Sequence, residues 1–259
     1  MDLARDLAVE PIAAFDDNYL WLIVRGAQAA VVDPGDADPV LRRLRQQDVE
    51  LTAILVTHHH GDHVGGVAQL ASATGARVYG PRGEKIPACD AALAGGDRID
   101  VLGIGFDVID VPGHTRGHVA YHAAAQRWLF CGDTLFCAGC GRLFEGTAAQ
   151  MSVSLARLAA LPDDTRVYCA HEYTLANLRF ALAVEPDNGA LRRRQSECSA
   201  LRSGGMPTVP STIGDERATN PFLRCAEPAV RRAAERRAGR PLPDATEVFA
   251  VLREWKNVF

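Results

Sequence analysis

The chain has 259 residues, of which 47% are apolar and 23% charged, and a formal net charge of −4. That length builds one large or two modest domains, each with its own core, and the near-balanced charge excludes the strongly basic footprint of a nucleic-acid binder. No apolar run is long enough to cross a bilayer, and the opening M-D-L-A-R-D-L holds no signal-type apolar segment, so a cytoplasmic protein is expected. Seven cysteines without an export signal read as reduced thiols rather than a disulfide framework. Cys137 and Cys140 form a single C-x-x-C with no second half, and small buried thiols are the expectation there.

In chain order, residues 9–14, 19–25 and 28–33 are β-rich runs, separated by turn chemistry at Asp16-Asp17-Asn18 and Arg25-Gly26. Asp38-Pro39 opens a helix whose apolar Val40, Leu41 and Leu44 recur at helical spacing. Strand returns at 51–56, followed by a helix from Val64 to Thr74, a strand from Ala76 to Tyr79 and a loop at 81–87. Strands at 105–111, 118–123 and 127–132 precede a glycine-rich loop to Thr147, a helix from Ala148 to Leu161 and a strand at 165–169. From Thr174 strand signals cease, and helices are predicted at 174–185, 188–202, 226–238 and 244–257, with a break over 203–219. Alternating strands and helices followed by helices alone predict a sheet sandwich with helices on both faces and a C-terminal α-helical domain. The boundary falls near 171–174.

Chemistry gathers at Thr57–Gly66, T-H-H-H-G-D-H-V-G-G, directly after an apolar strand. Burying that many polar rings without partners costs about 1–3 kcal/mol per unsatisfied group, so a metal is expected. His58 and His60 lie two apart on an extended segment and point to one side. Asp62 and His63 fall where the chain turns into a helix and can face a second point. This H-x-H-x-D-H spacing supplies two ligand pairs to two neighbouring ions. His114, Asp133 and His171 each follow a predicted strand in a polar turn, where further ligands would arrive. His59 is expected to point away, and His118 and His122 to support ligands or sit in the core.

With these residues the chain resembles the metallo-β-lactamase superfamily, whose hallmark is H-x-H-x-D-H with a later His, Asp and His. The resemblance implies an α/β fold, an αββα sandwich with two metals at one edge. It implies His58, His60 and His114 on the first ion, Asp62, His63 and His171 on the second, and Asp133 bridging them. The N and O donors suit zinc, and also iron or manganese. Water held by two such cations loses a proton near neutral pH, its pKa falling from roughly 15.7 toward 7. That hydroxide, with Asp133 and Asp62 as the carboxylates that hold its ions, would be the nucleophile of an acyl hydrolysis.

Further stretches narrow the resemblance: A-F-D-D-N-Y-L-W near the start, G-C-G-R-L-F-E-G-T at 139–147, A-H-E-Y-T-L-A-N-L-R-F-A at 170–181, and the terminal L-R-E-W-K-N-V-F. Together they are similar to the glyoxalase II (hydroxyacylglutathione hydrolase) family from about Val9 to Phe259. That similarity implies a metal domain over 1–172, a helical substrate-binding domain over 173–259, and hydrolysis of S-D-lactoylglutathione to D-lactate and glutathione in methylglyoxal detoxification. It implies glutathione contacts from Arg142, Phe144, Tyr173, Arg253 and Lys256. Arg253 and Lys256 are i, i+3 on one helix face, a two-pronged arrangement for a carboxylate. Arg142 and Phe144 stand where many relatives carry Lys and Tyr, so a charge is kept and a hydroxyl lost. Gly61 replaces a larger residue. A monomer without nucleic-acid, membrane or protein partners is expected. A persulfide dioxygenase with a single iron is the alternative enzyme, and a non-catalytic metal-binding module the third reading.

Overall fold

The computed structural model describes residues 7–259, so nearly all of the opening M-D-L-A-R-D-L lies outside the described residues. The chain divides into two compact units. One runs to Asp110 and resumes over Arg116–Gly132, and the other comprises Val111–Thr115 and Asp133–Phe259.

In the first unit, β1 (Ala8–Ala14), β2 (Asn18–Arg25) and β3 (Gln28–Val32) form an antiparallel meander. Helix α1 (Ala37–Gln47) follows, capped by Asp36, whose side chain accepts the Asp38 N–H. A helical crossover returns the chain parallel to the strand it left. Accordingly β4 (Glu50–Leu55) runs parallel to β3, with Leu55 opposite Val32. The short α2 (Gly61–Val64) and then α3 (Val67–Thr74) lead to β5 (Arg77–Pro81) and β6 (Ala91–Leu93), both added in parallel. Val40 and Leu44 of α1 and Val67 and Leu70 of α3 join Leu22, Val31 and Ile54 in one core. The other sheet face, with Trp21, Ile23, Val32 and Leu55, is buried as well, as parallel strands require. A second, antiparallel sheet has the order β10-β9-β8-β7, from β7 (Arg98–Val101), β8 (Ile104–Asp110), β9 (Val119–Ala123) and β10 (Trp128–Gly132).

The single helix expected from Val64 to Thr74 is broken in two. A Cβ on Gly65 would lie 2.5 Å from the Gly35 carbonyl oxygen, and one on Gly66 2.5 Å from Ala37 N. The glycines let this bend press against the backbone that leaves β3. Strands β6 and β7 were not anticipated; at three and four residues they carry too little alternation to read.

The second unit opens with a small hairpin, β11 (Leu135–Phe136) and β12 (Gly139–Cys140). Helix α4 (Ala148–Ala159) follows, with a Thr147–Gln150 capping box. Strand β13 (Arg166–Cys169) pairs with β14 (Ser211–Thr212). Helices α5 (Thr174–Val184), α6 (Gly189–Ser203), α7 (Ile213–Thr219), α8 (Pro228–Ala238) and α9 (Ala245–Asn257) make up the remainder. Helix α5 packs on α6, and α9 on both α4 and α8. Phe180, Phe222, Phe249 and Trp255 interlock by stacked and edge contacts. Here the sequence reading needs two corrections. The glycine-rich loop contains a hairpin, and the break over 203–219 contains β14 and α7. Among the described residues no helix is long and apolar enough to cross a membrane.

Candidate active site

The ligand stretch leaves the carboxyl end of β4, where α/β sheets present their chemistry. Because β3 and β4 are parallel and in register, Asp33 emerges beside it, its N–H donating to Leu55 O at 2.9 Å. The Asp33 carboxylate accepts from Thr57 N and from Thr57 Oγ1, both at 2.7 Å, and faces His63 Nδ1 at 3.2 Å. Asp33, His58 and His63 offer donor atoms within 4.8 Å of one another. Each Asp33 oxygen accepts one bond from Thr57, and Oδ2 also faces the His63 ring, the arrangement of a carboxylate behind a histidine. His58 Nε2 lies 3.2 Å from His60 Nδ1, and His63 Nε2 lies 3.5 Å from an Asp62 carboxylate oxygen.

Their surroundings lock the rings. His58 Nδ1 faces Thr57 Oγ1 at 3.1 Å, and its ring stacks on His118 at 4.5 Å. Asn18 Nδ2 donates to Asp62 Oδ2 at 3.1 Å. His59 turns to Glu84 at 2.9 Å, and the same carboxylate accepts the His59 and Gly117 N–H groups. Gly132 has a φ of +47°, and a Cβ there would meet Thr57 Oγ1 at 2.2 Å. No side chain could occupy that position.

In the second unit, His114 and His171 address the two oxygens of one carboxylate. His114 Nε2 is 3.4 Å from Asp133 Oδ2, and His171 Nε2 is 3.3 Å from Asp133 Oδ1. His114 Nδ1 donates to Arg142 O at 2.8 Å, which fixes the tautomer with Nε2 as the acceptor. His171 stacks on Tyr173, with ring centroids 4.8 Å apart. His58, His63, His114, His171 and Asp133 are all buried.

These donors fit a divalent metal. Zn–N and Zn–O bonds of about 2.0–2.2 Å put neighbouring tetrahedral ligands roughly 3.3–3.5 Å apart, and the pairs above stand at 3.2–3.5 Å.

Beside Asp133 and His114 opens a cavity of about 430 Å³. Arg142, Phe144, Tyr173, Arg253 and Lys256 all line it, so every sequence-predicted substrate contact stands on one wall system. Phe144 meets the His114 ring edge-on at 5.3 Å and is 64% exposed. Arg253 is buried; its Nη1 donates to Cys140 O at 2.7 Å and Nη2 to Asn257 Oδ1 at 3.2 Å. What it brings to the cavity wall is charge; its buried Nε has no hydrogen-bond partner. Burial, then the cations Arg253, Arg179 and Arg142, hold Lys256 below the ordinary lysine range. Four cations crowded this way disfavour the bare protonated lysine, and an anion would relieve them.

Sequence reasoning missed Asp33, Asn18 and Arg179 as members of this machinery. Asp33 stood in D-P-G-D and Asn18 in D-D-N, both read as turns; an acid at the end of the strand beside the ligand strand was the available signal. Gly61 has no atom within 4 Å of where a Cβ would sit, so its mouth position is open.

Residues 14–171 match the family model of the metallo-beta-lactamase superfamily, and residues 172–259 match that of the hydroxyacylglutathione hydrolase C-terminus. The chain belongs to the metallo-β-lactamase superfamily. A relative in Pseudomonas aeruginosa (strain LESB58) named hydroxyacylglutathione hydrolase is 59% identical over 257 residues, covering 98% of this chain and all of the relative. Within the superfamily, then, this chain is a member of the hydroxyacylglutathione hydrolases. Two solved structures share the fold. ETHE1 from Myxococcus xanthus is 25% identical with a TM-score of 0.67, covering 96% of this chain and 91% of that one. TTHA1623 in a di-iron-bound form is 28% identical with a TM-score of 0.60, covering 83% of this chain and all of that one.

Proposed function

We propose that the chain is a metal-dependent thioester hydrolase that cleaves S-D-lactoylglutathione to D-lactate and glutathione, in the removal of methylglyoxal. The observation that supports this reading is the cavity itself, whose lining joins Asp133 and His114 to Arg142, Arg253 and Lys256. Glutathione bears two carboxylates, and a site for its thioester needs cations at a distance from the reacting carbonyl.

In this reading His58, His60 and His114 would hold one divalent ion, Asp62, His63 and His171 would hold the other, and Asp133 would serve both. Such ions, when bound, supply a hydroxide at neutral pH and polarise the thioester carbonyl. Zinc is the proposed metal, with iron or manganese as alternatives. Asp33 and Asn18 orient His63 and Asp62. Lys256 and Arg142 hold the peptide carboxylates, Tyr173 and Phe144 flank the peptide, and Arg253 fixes the carbonyls of Cys140 and Gly141 behind it. Residues 1–172 thereby serve as the metal domain and 173–259 as the substrate-binding part, in a cytoplasmic monomer.

Hydrolysis of S-D-lactoylglutathione, followed as thiol release on protein of measured metal content, tests the proposal. Turnover that scales with loading toward two ions per chain is expected. No thiol release from loaded protein sinks it, and oxygen uptake with glutathione persulfide would favour the dioxygenase reading instead.

A further inference from the structure

The turn between β5 and β6 holds a carboxylate that lies outside the proposed ligand set. Glu84 N donates to Pro81 O at 3.3 Å, closing the turn, and Ile86 packs into the core of the first unit. A Cβ on Gly80 would lie 2.8 Å from the Ile86 side chain, so the turn is pressed onto β5. On this anchored base the Glu84 side chain is only 3% exposed.

Its two oxygens divide between two segments. Oε2 accepts the His59 N–H at 2.6 Å and faces His59 Nδ1 at 2.9 Å, and Oε1 accepts the Gly117 N–H at 3.0 Å. Thr57–His60 belongs to no strand or helix, so its backbone donors need partners of this kind. His59 sits between His58 and His60, whose rings approach each other at 3.2 Å. Gly117 precedes His118, whose ring stacks on His58 at 4.5 Å. A further bond, Val119 N to Thr57 O at 3.0 Å, joins the same two segments. The stacked His58–His118 pair therefore lies between two cross-links, one of them a backbone bond and the other a buried carboxylate. The fit is close: a Cβ on Gly117 would lie 2.6 Å from Glu84 Cγ and 3.0 Å from the Gly83 carbonyl carbon.

We propose that Glu84 is a positioning residue of the metal centre. By gripping the main chain and the ring of His59 it turns that residue aside, and so holds His58 and His60 face to face before any ion arrives. The inference rests on the metal-binding reading of these histidines. Its physical basis is preorganisation: an ion that finds its donors in place does not have to order the loop that bears them. Losing a partner behind a metal ligand typically costs about 10–100-fold in affinity. Glu84 acts through the residue between two ligands, so the lower end of that range is expected.

Zinc affinity of the full chain, measured by competition with a chromophoric chelator, tests the role. Glu84→Gln keeps the size of the side chain. Whichever way its amide turns, however, the NH2 group meets a backbone N–H, and one of the two anchored segments is released. The Kd for zinc should rise about tenfold, and the visible bands of the cobalt-substituted protein should change with the ligand geometry. Gly117→Ala displaces the same carboxylate from the other side without altering its charge, and should weaken zinc in the same direction. It decides the matter if Glu84→Gln fails to fold. Thermal unfolding of the metal-free proteins separates positioning from stability. A lower metal-free Tm with the Kd and the cobalt bands of the wild type would overturn the proposal. A wild-type chain that took up neither zinc nor cobalt would instead refute the metal reading beneath it.

Discussion

At Gly141 a single added methyl would fall 2.0 Å from Asp133 O and 3.1 Å from His114 Nδ1. Something must shift, and both neighbours are proposed ligands. A misplacement of about 1 Å at a reacting centre can cost on the order of 100-fold in rate. Gly141→Ala should therefore lower kcat/KM by about that factor while the chain remains folded, as steady-state kinetics and circular dichroism would show. Wild-type kinetics in Gly141→Ala would mean that the Asp133 carbonyl gives way without disturbing its carboxylate. Asp33→Asn tests the other flank. Replacing an outer partner of a ligand typically costs about 10–100-fold in metal affinity or activity, and metal titration against a competing chelator should find that weakening. The four candidate donors of H-x-H-x-D-H were readable because local spacing alone sets them side by side. Asp33 was not, because its role depends on the register that sets Val32 opposite Leu55.

The hairpin β11–β12 shows how far one element depends on distant ones. Glu216 accepts the Ala138 N–H at 2.8 Å, Asn177 donates to Cys137 O at 3.1 Å, and Asn220 donates to Phe136 O and Gly139 O. Arg253 takes Cys140 O. Two two-residue strands could not hold themselves; residues from α5, α7, the segment after α7 and α9 hold them. Glu216 is fully buried against Arg194. Glu216→Ala leaves that guanidinium uncompensated and should cost about 3–5 kcal/mol, read as a lowered urea midpoint at unchanged slope. Arg253→Ala and Lys256→Ala should then differ. Both raise KM, but only Arg253→Ala should also lower the unfolding midpoint, since Arg253 donates to the hairpin carbonyl of Cys140 whereas Lys256 makes ring contacts with Phe180 and Phe259. Equal stability of the two variants would remove Arg253 from its bracing role. None of this was legible in 203–219, where a two-residue strand and a two-turn helix carry no periodicity.

Across the whole molecule, charge is nearly balanced, yet Arg142, Arg253 and Lys256 line one cavity, and Arg179 is near enough to act on Lys256. Lys256 has its pKa lowered by burial and by those neighbours. Its protonated form is the one that holds a carboxylate, so KM for an anionic thioester should rise as pH climbs through that lowered value, beginning below 10.5. Lys256→Arg should abolish that alkaline limb, because guanidinium stays protonated; a limb of the same midpoint in both proteins would assign it elsewhere. The sign for stability is opposite to that for binding. Between the folded and unfolded pKa values the unfolded chain binds more protons, so this group's contribution to stability rises with pH. Metal removal acts on the same scale. Ligands spread from His58 to His171 are joined by the proposed ions, and binding to the folded state alone stabilises by about 4 kcal/mol at a thousandfold excess over Kd. Chelation should lower Tm, and zinc should restore it.

The sequence by itself determined the candidate donors, the spacing that sets His58 by His60 and Asp62 by His63, and the strand-helix order of β1 to β5, because each is a local property of a few neighbouring residues. The stretch 57–66 needed no tertiary information to demand a metal. Only the tertiary structure decided which acid stands behind His63, which helices brace the hairpin, and that Arg194 reaches the Cys137 sulfur. Those facts come from strand register and helix packing over separations of 30 to nearly 80 residues. Single-sequence spacing carries no record of contacts at that range.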